Sequence, residues 1–288
     1  MIATDWPLLV IFFLMGAAIG SFLNVCIARW PFDESVISPP SKCPHCNTPI
    51  KWYDNVPILG WVRLGGKCRN CRAPISVVYP AVELLVALGW LACAIVWGPT
   101  LTAVRVAVFG TIMLGIAVTD AKHYLIPDGF TVFGFVFVLA MAVYGGISGE
   151  VTPFAQPMDA FLGACVGAGA IRIIGWLGEV ILKKEAMGFG DETLMAVVGA
   201  ALGPARSLLV IFLAAAIGAV TFLVVVYPIV RLRQQRKAGQ LELELGVENG
   251  AEMPLVPFGV FLAPAAVLAL VFGQQLTDWY SATVMGVQ

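Results

Sequence analysis

The chain has 288 residues, 59% of them hydrophobic and only 12% charged, with a mean hydropathy of +0.89 and a formal net charge of -1. That apolar load exceeds what one soluble core can hide, so an ordinary soluble globular domain is excluded. A charge so near zero gives no electrostatic case for a nucleic-acid partner, and none is expected.

Four runs approach the roughly 20 apolar residues that cross a hydrocarbon core: 8–27, 79–97, 130–144 and 208–230. Less regular candidates are 102–118, 158–182, 193–202 and 255–272. The pattern predicts an all-α polytopic membrane protein of about eight transmembrane helices, embedded in a lipid bilayer. The first run has no basic residue ahead of it and no small-residue cleavage pattern behind it, so it reads as a retained span rather than a signal peptide.

Between the first two runs lies a polar insertion, 29–78, with seven Lys and Arg. If the spans alternate, seven further cations fall on the same side, leaving Arg105, Arg172 and Arg206 elsewhere. Cytoplasmic loops concentrate cations, so that side is expected to be cytoplasmic, at a bacterial inner membrane. The chain divides accordingly into a first transmembrane helix (1–28), a cytoplasmic cysteine domain (29–78) and a transmembrane core of about seven helices (79–288).

The insertion carries CPHC at 43–46 and CRNC at 68–71, with 21 residues between the inner cysteines. Each CxxC presents two thiolates to one ion, and two such knuckles close a tetrahedral site with no position left for water. Cys43, Cys46, Cys68 and Cys71 are therefore read as ligands of a structural zinc in a small zinc-ribbon-like loop domain. Two disulfides are the alternative, disfavoured in a reducing compartment. His45 is a spacer, and Cys26, Cys93 and Cys165 are small residues of apolar spans.

Further along, the segment MGFGDETL (187–194) places Asp191 and Glu192 after Gly188 and Gly190. An acid kept at membrane depth is a functional-site hypothesis. TDAKHYLIPD (119–128) adds Asp120 and Asp128, and on alternating spans all three aspartates reach one depth on one side. Two carboxylates brought together share a single proton, so one can take a proton from water while the other donates to a carbonyl oxygen. Asp120 closes a helix, where the macrodipole disfavours an anion, so capping cannot explain it. Asp128 precedes a span and helix capping is its better reading, with substrate binding the other. Gly188 and Gly190 permit backbone angles closed to other residues and leave room for an extended substrate peptide. Glu83, one turn into the second span, is a candidate for binding substrate or a cation, or for capping a helix. Glu179 and Arg172 are expected to pair within the bundle. The polar stretch 231–253 is read as a solvated loop with a basic anchor. Small residues four apart, Gly16 with Gly20 and Gly163 with Gly167, are read as helix-packing positions.

No HExxH, no GK[ST] phosphate loop and no GxSxG is present. The rival to a peptidase is a transporter relaying protons through Asp120 and Asp191; a third reading is an assembly scaffold whose zinc loop docks another protein.

In order, GSFLNVCIAR (20–29), CPHCNTPIKWYDNVPILGW (43–61), CRNCRAPISVVYPAVELL (68–85), TDAKHYLIPD, MGFGD and PLVPFGVFLAPAA (254–266) resemble the motifs of the bacterial type IV prepilin leader peptidase family, which also processes type II secretion pseudopilins. The resemblance implies a GxGD-type aspartic endopeptidase with Asp120 and Asp191 as catalytic pair. It implies removal of a short basic leader from prepilins at the cytoplasmic face. It also implies methylation of the new amino terminus with S-adenosylmethionine, peptidase activity alone being the narrower alternative. The family motif commonly runs GxGDxK; here Thr193 stands at the lysine and Glu192 adds an anion beside Asp191.

Overall fold

The computed structural model describes residues 6–150, 152–183, 187–231 and 257–283. Among these, nine α-helices run in chain order: α1 (Trp6–Arg29), the short α2 (Leu59–Arg63), α3 (Val78–Trp97), α4 (Leu101–His123), α5 (Asp128–Ser148), α6 (Pro157–Leu182), α7 (Phe189–Leu202), α8 (Pro204–Thr221) and α9 (Gly259–Thr283). A π-helical turn, Phe222–Val226, continues α8. Seven of these helices are long and apolar enough to cross a membrane, the first and sixth of them extending to Phe32 and Arg231. Most of the polar stretch at 231–253 lies outside the described residues, as do Lys184 and the start of the last motif.

The segment 193–202 is shorter than the seven helices long enough to cross a membrane. It belongs to α7, whose 14 residues rise about 21 Å at 1.5 Å per residue, short of a hydrocarbon core. The helix also begins earlier than the sequence suggested. Gly188 is its extended N-cap, and Asp191 and Glu192 sit in its first turn, where free N–H groups and the helix dipole favour anions. The GFGD segment is thus largely helical. α7 survives because protein surrounds it: Leu194 to Leu202 are almost all buried. Gly203, at φ 83°, ends it and Pro204 opens α8.

Small residues set the packing. Gly16 and Gly20 of α1 bring its backbone onto Ala87 and Glu83 of α3. Gly163 and Gly167 of α6 lie against Gly199 and Met195 of α7, backbone on backbone. α4 is the most enclosed span and α8 the least.

The bundle has two polar ends. At one end lie the C-terminal turns of α1 and α4, the N-terminal turns of α3, α5, α7 and α9, and the cysteine domain; Trp30 packs edge-on against Phe130 at 4.4 Å. At the other end Arg105 is buried beside Glu150 (3.4 Å) and lies 4.6 Å above the Tyr144 ring. There Arg206 donates to the carbonyls of Leu202 and Pro153, each at 2.8 Å. Arg172 does not join them at that end, nor does it form the expected ion pair with Glu179: its guanidinium reaches Glu192 at 3.0 Å.

The cysteine domain repeats one turn twice. Cys43 N–H donates to Thr48 O and Cys68 N–H to Ala73 O, while Asn47 and Arg72 donate back to Cys43 and Cys68. Asn47 and Arg72 both take left-handed backbone angles, φ 53° and 61°. Antiparallel bridges, Lys42 with Pro49 and Lys67 with Pro74, flank the two turns.

Candidate active site

Asp120 stands one turn before the end of α4 and is buried, 5% exposed. Tyr124 closes the helix in a left-handed conformation, its N–H donating to Asp120 O. That sharp stop throws Leu125, Ile126 and Pro127 across the end of the bundle. Val260 N–H donates to Asp120 Oδ2 at 3.1 Å. Val260 is the second residue of α9, so this N–H is one of the donors a helix start leaves free. Gly259 makes the approach possible, since a Cβ there would stand 2.6 Å from Asp120 Oδ2 and 2.9 Å from Ile126 Cδ1.

Asp191 arrives from α7, partly exposed, its N–H donating to Gly188 O at 3.1 Å. Ile126 is the hinge between the two acids: it touches Gly259 beside Asp120, and it lies against Gly190 beside Asp191. Asp120 and Asp191 thus lie on either side of Ile126.

The glycines serve differently from the sequence expectation. Neither Gly188 nor Gly190 has a positive φ; Gly188 is at -84° and Gly190 lies within the helix. Gly190 is required by space instead, because a Cβ would come 3.0 Å from Ile126 Cβ and push α7 away from Asp120. Gly188 faces open space, with no atom closer than 4.0 Å to a Cβ built there. Asp128 is exposed in the first turn of α5 behind Pro127, the N-cap, and its carboxylate makes no capping hydrogen bond. Its position still suits an anion, by the dipole rather than by a side-chain cap.

Glu83 does not meet the aspartates. Its Oε2 accepts from Ile58 N–H at 2.7 Å, just ahead of α2, and so ties the cysteine domain to α3. Glu192, the extra anion beside Asp191, is offset by its ion pair with Arg172, and the Thr193 hydroxyl turns back to Gly190 O at 3.0 Å. Sequence reasoning missed Gly259 and Val260; the only signal was the PFG of the final motif, and its partner lies 140 residues earlier.

In the cysteine domain the Sγ atoms of Cys43, Cys46, Cys68 and Cys71 lie within 4.8 Å of one another, and His45 is not among them. Cys43 to Cys71 is 3.8 Å and Cys46 to Cys68 is 4.0 Å. Tetrahedral ligation at the usual Zn–S distance sets sulfurs about 3.8 Å apart, so the four fit an ion without rearrangement. The Thr48 hydroxyl and N–H draw the Cys46 thiol down to about 6. The Ala73 N–H favours the Cys71 thiolate, yet burial and the neighbouring sulfurs push that thiol up to about 11. Four such sulfurs ionise together only with a cation between them. Cys26 is buried, whereas Cys93 is half-buried and Cys165 exposed.

The bacterial peptidase A24 N-terminal domain matches residues 14–97, and the type IV leader peptidase family matches residues 107–223. A prepilin leader peptidase/N-methyltransferase of Aeromonas hydrophila is 32% identical over 299 residues, covering 96% of this chain and 94% of that protein. Another from Pseudomonas aeruginosa is 32% identical over 292 residues, covering 93% and 91%. A third, from Myxococcus xanthus, is 39% identical over 201 residues; the match covers 68% of this chain and 57% of that longer protein. No solved structure matches the chain. The chain belongs to the type IV leader peptidase family.

Proposed function

We propose that this protein is a membrane aspartic endopeptidase that removes the leader of prepilins and methylates the amino terminus so exposed. The observation that carries the proposal is the meeting of Asp120 and Asp191 across Ile126, from helices far apart in the chain, at one end of the bundle. A proton relay would distribute its acids through the membrane; here both stand at one depth beside an open glycine. The matched relatives, named peptidase and N-methyltransferase, support the same reading.

In the proposed mechanism the two carboxylates hold one proton between them. Val260 N–H donates to Asp120 Oδ2 and so fixes the orientation of the carboxyl group. The ionised carboxylate takes a proton from water, whose oxygen attacks the scissile carbonyl, while the protonated partner gives its proton to the carbonyl oxygen. The tetrahedral adduct then collapses, the C–N bond breaks, and the amine leaves with a proton from the pair. Gly188 keeps the approach to Asp191 open for the substrate backbone, and Asp128 lines its mouth.

Zinc is the ion we assign to Cys43, Cys46, Cys68 and Cys71, in a structural role, since four sulfurs leave no open position. S-adenosylmethionine would supply the methyl group. The tripartite organisation, first helix, cysteine domain and membrane core, belongs to the same proposal, as does an inner-membrane location with the aspartates facing the cytoplasm.

Purified full-length protein in detergent, given a prepilin, tests the catalytic pair. Asp120→Asn and Asp191→Asn are each expected to lower the cleavage rate by about 10²–10⁴-fold, the usual contribution of a positioned acid or base. Cleavage at the original rate in either variant would remove that carboxylate from the mechanism.

A further inference from the structure

Ten residues of α6 follow Arg172, so about 15 Å of helix separates it from the polar end of the bundle. Ile171 beside it is fully buried, and Ile173, Ile174 and Trp176 are apolar and exposed. A cation kept at that depth is unfavourable in itself and calls for a function. We propose that Arg172 is a positioning residue for peptide-bond cleavage: through Glu192 it fixes the first turn of α7, and its charge cancels that of Glu192 where the two aspartates must hold one proton. This rests on the peptidase half of the proposed function and not on methylation.

Helix register brings the arginine to this place. Gly163 of α6 lies on Gly199 of α7, Gly167 on Met195, and Gly175 faces Met187, so one antiparallel register holds along the whole contact. Between the last two of these, Arg172 stands level with Gly190, immediately beside Asp191 and Glu192. Its Nη1 donates to Glu192 Oε1 at 3.0 Å. The register is firm, because backbone meets backbone at Gly163 and Gly199 with no side chain between them. Gly188, the N-cap of α7, offers no side chain to hold the first turn; Arg172 holds it from the neighbouring helix.

Stability alone does not account for the pair. The Arg172 side chain is 75% exposed, and an ion pair that open adds little to folding. The helix start does not suffice for the anions either. It offers the equivalent of about half a positive charge, and Asp191 and Glu192 both draw on it from the first turn. Half a charge cannot offset two carboxylates. Arg172 supplies the remainder.

The consequence for cleavage follows from sign. A carboxylate beside an ionised neighbour keeps its proton to higher pH, and one beside a cation loses it at lower pH. Glu192 alone would raise the pH range in which the aspartates hold one proton; Arg172, always charged, moves it back. The Thr193 hydroxyl, turned to Gly190 O, contributes no charge. The other charged or titratable groups brought to this end by the helices around α7 are Asp120, Lys122 and His123 of α4, Asp128 of α5, Glu179 and Lys183 at the end of α6, and Arg231 beyond α8. The first turns of α9 bring none. None of these changes when the pair is substituted, so a shifted pH profile reports the pair.

Cleavage of a prepilin by the full-length protein in detergent, followed as kcat and KM across pH, tests the assignment. Arg172→Gln is expected to move the profile about one unit to higher pH and Glu192→Gln about one unit to lower pH, the effect of one nearby charge. The double substitution is expected to return close to the wild-type profile, and Arg172→Lys to keep it, with kcat affected more than KM. Thermal unfolding reports that each variant is folded; should Arg172→Gln fail to fold, Glu192→Gln and Arg172→Lys carry the comparison. Unshifted profiles in both single variants, shifts of the same sign, or a double variant no nearer to wild type than the singles would overturn the inference and leave the peptidase reading standing. Cleavage that survives Asp191→Asn would overturn the peptidase reading itself, and this inference with it.

Discussion

Asp120 occupies the wrong end of its own helix and the right end of another. Carbonyl groups at the C-terminus of α4 repel a carboxylate, but the free N–H groups at the start of α9 attract it, and Val260 supplies the hydrogen bond. A missing side chain makes the contact possible. Gly259→Ala is expected to drive Asp120 Oδ2 aside, because the new methyl would stand 2.6 Å from it with Ile126 closing the other side. If Asp120 acts as proposed, a displacement of that order costs about 10²-fold in rate. Cleavage kinetics and thermal unfolding on the same variant check this: slow turnover with an unchanged fold is the expected outcome, and normal turnover would show that the carboxylate is not held there.

At the scale of elements, α7 is the member that could not stand alone. It is too short to span, begins with two acids, and is stabilised only by what encloses it. Its closest partner is α6, where Gly163 and Gly199 meet backbone to backbone, so neither side has a flexible side chain able to yield. Gly199→Val is expected to destabilise the chain by about 1–3 kcal/mol or more through overpacking and to shift Asp191 with the helix. Gly110→Ala in α4, where a Cβ meets nothing within 4 Å, serves as the comparison and is expected to leave stability equal or slightly raised. Thermal unfolding of both variants in detergent decides it; equal midpoints for the two would contradict the packing account. The Arg172–Glu192 pair belongs to this scale too, joining α6 to the first turn of α7 and offsetting the anion beside Asp191.

On the scale of the whole molecule, two parts are stabilised by different means. The membrane helices bury one another, whereas the cysteine domain has one five-residue helix, two isolated bridges and two short 3₁₀ turns, and its two knuckles converge on four sulfurs. About one zinc per chain is expected, lost in Cys71→Ser. Because the Cys71 thiol is pushed up to about 11, it is protonated near neutrality without metal, so loading must release at least one proton per ion. Affinity should therefore fall as pH falls. Metal analysis and calorimetry in two buffers of different ionisation heat measure both quantities. Removal of the ion is expected to unfold the domain and leave the helical signal of the bundle nearly intact. A chain with no metal as purified, or metal loading without proton release, would contradict this account.

Composition and period alone determined that this chain is a helical membrane protein, because burying so many apolar residues in water is impossible and lipid permits few other backbones. Local chemistry also made the cysteine knuckles legible, since both ligands of each CxxC come from one turn. The aspartates were readable as misfits: an acid at a helix C-terminus and an acid beside glycines in an apolar chain. What tertiary structure decided were the relations between distant segments. That Gly190 serves Ile126 rather than a special backbone angle, that Glu83 holds the cysteine domain, that Arg172 answers Glu192 and that Gly259 admits Val260 to Asp120 all depend on which helices lie side by side. Small residues four apart mark in the sequence which helix faces pack closely, but not which helix each face meets across a long separation.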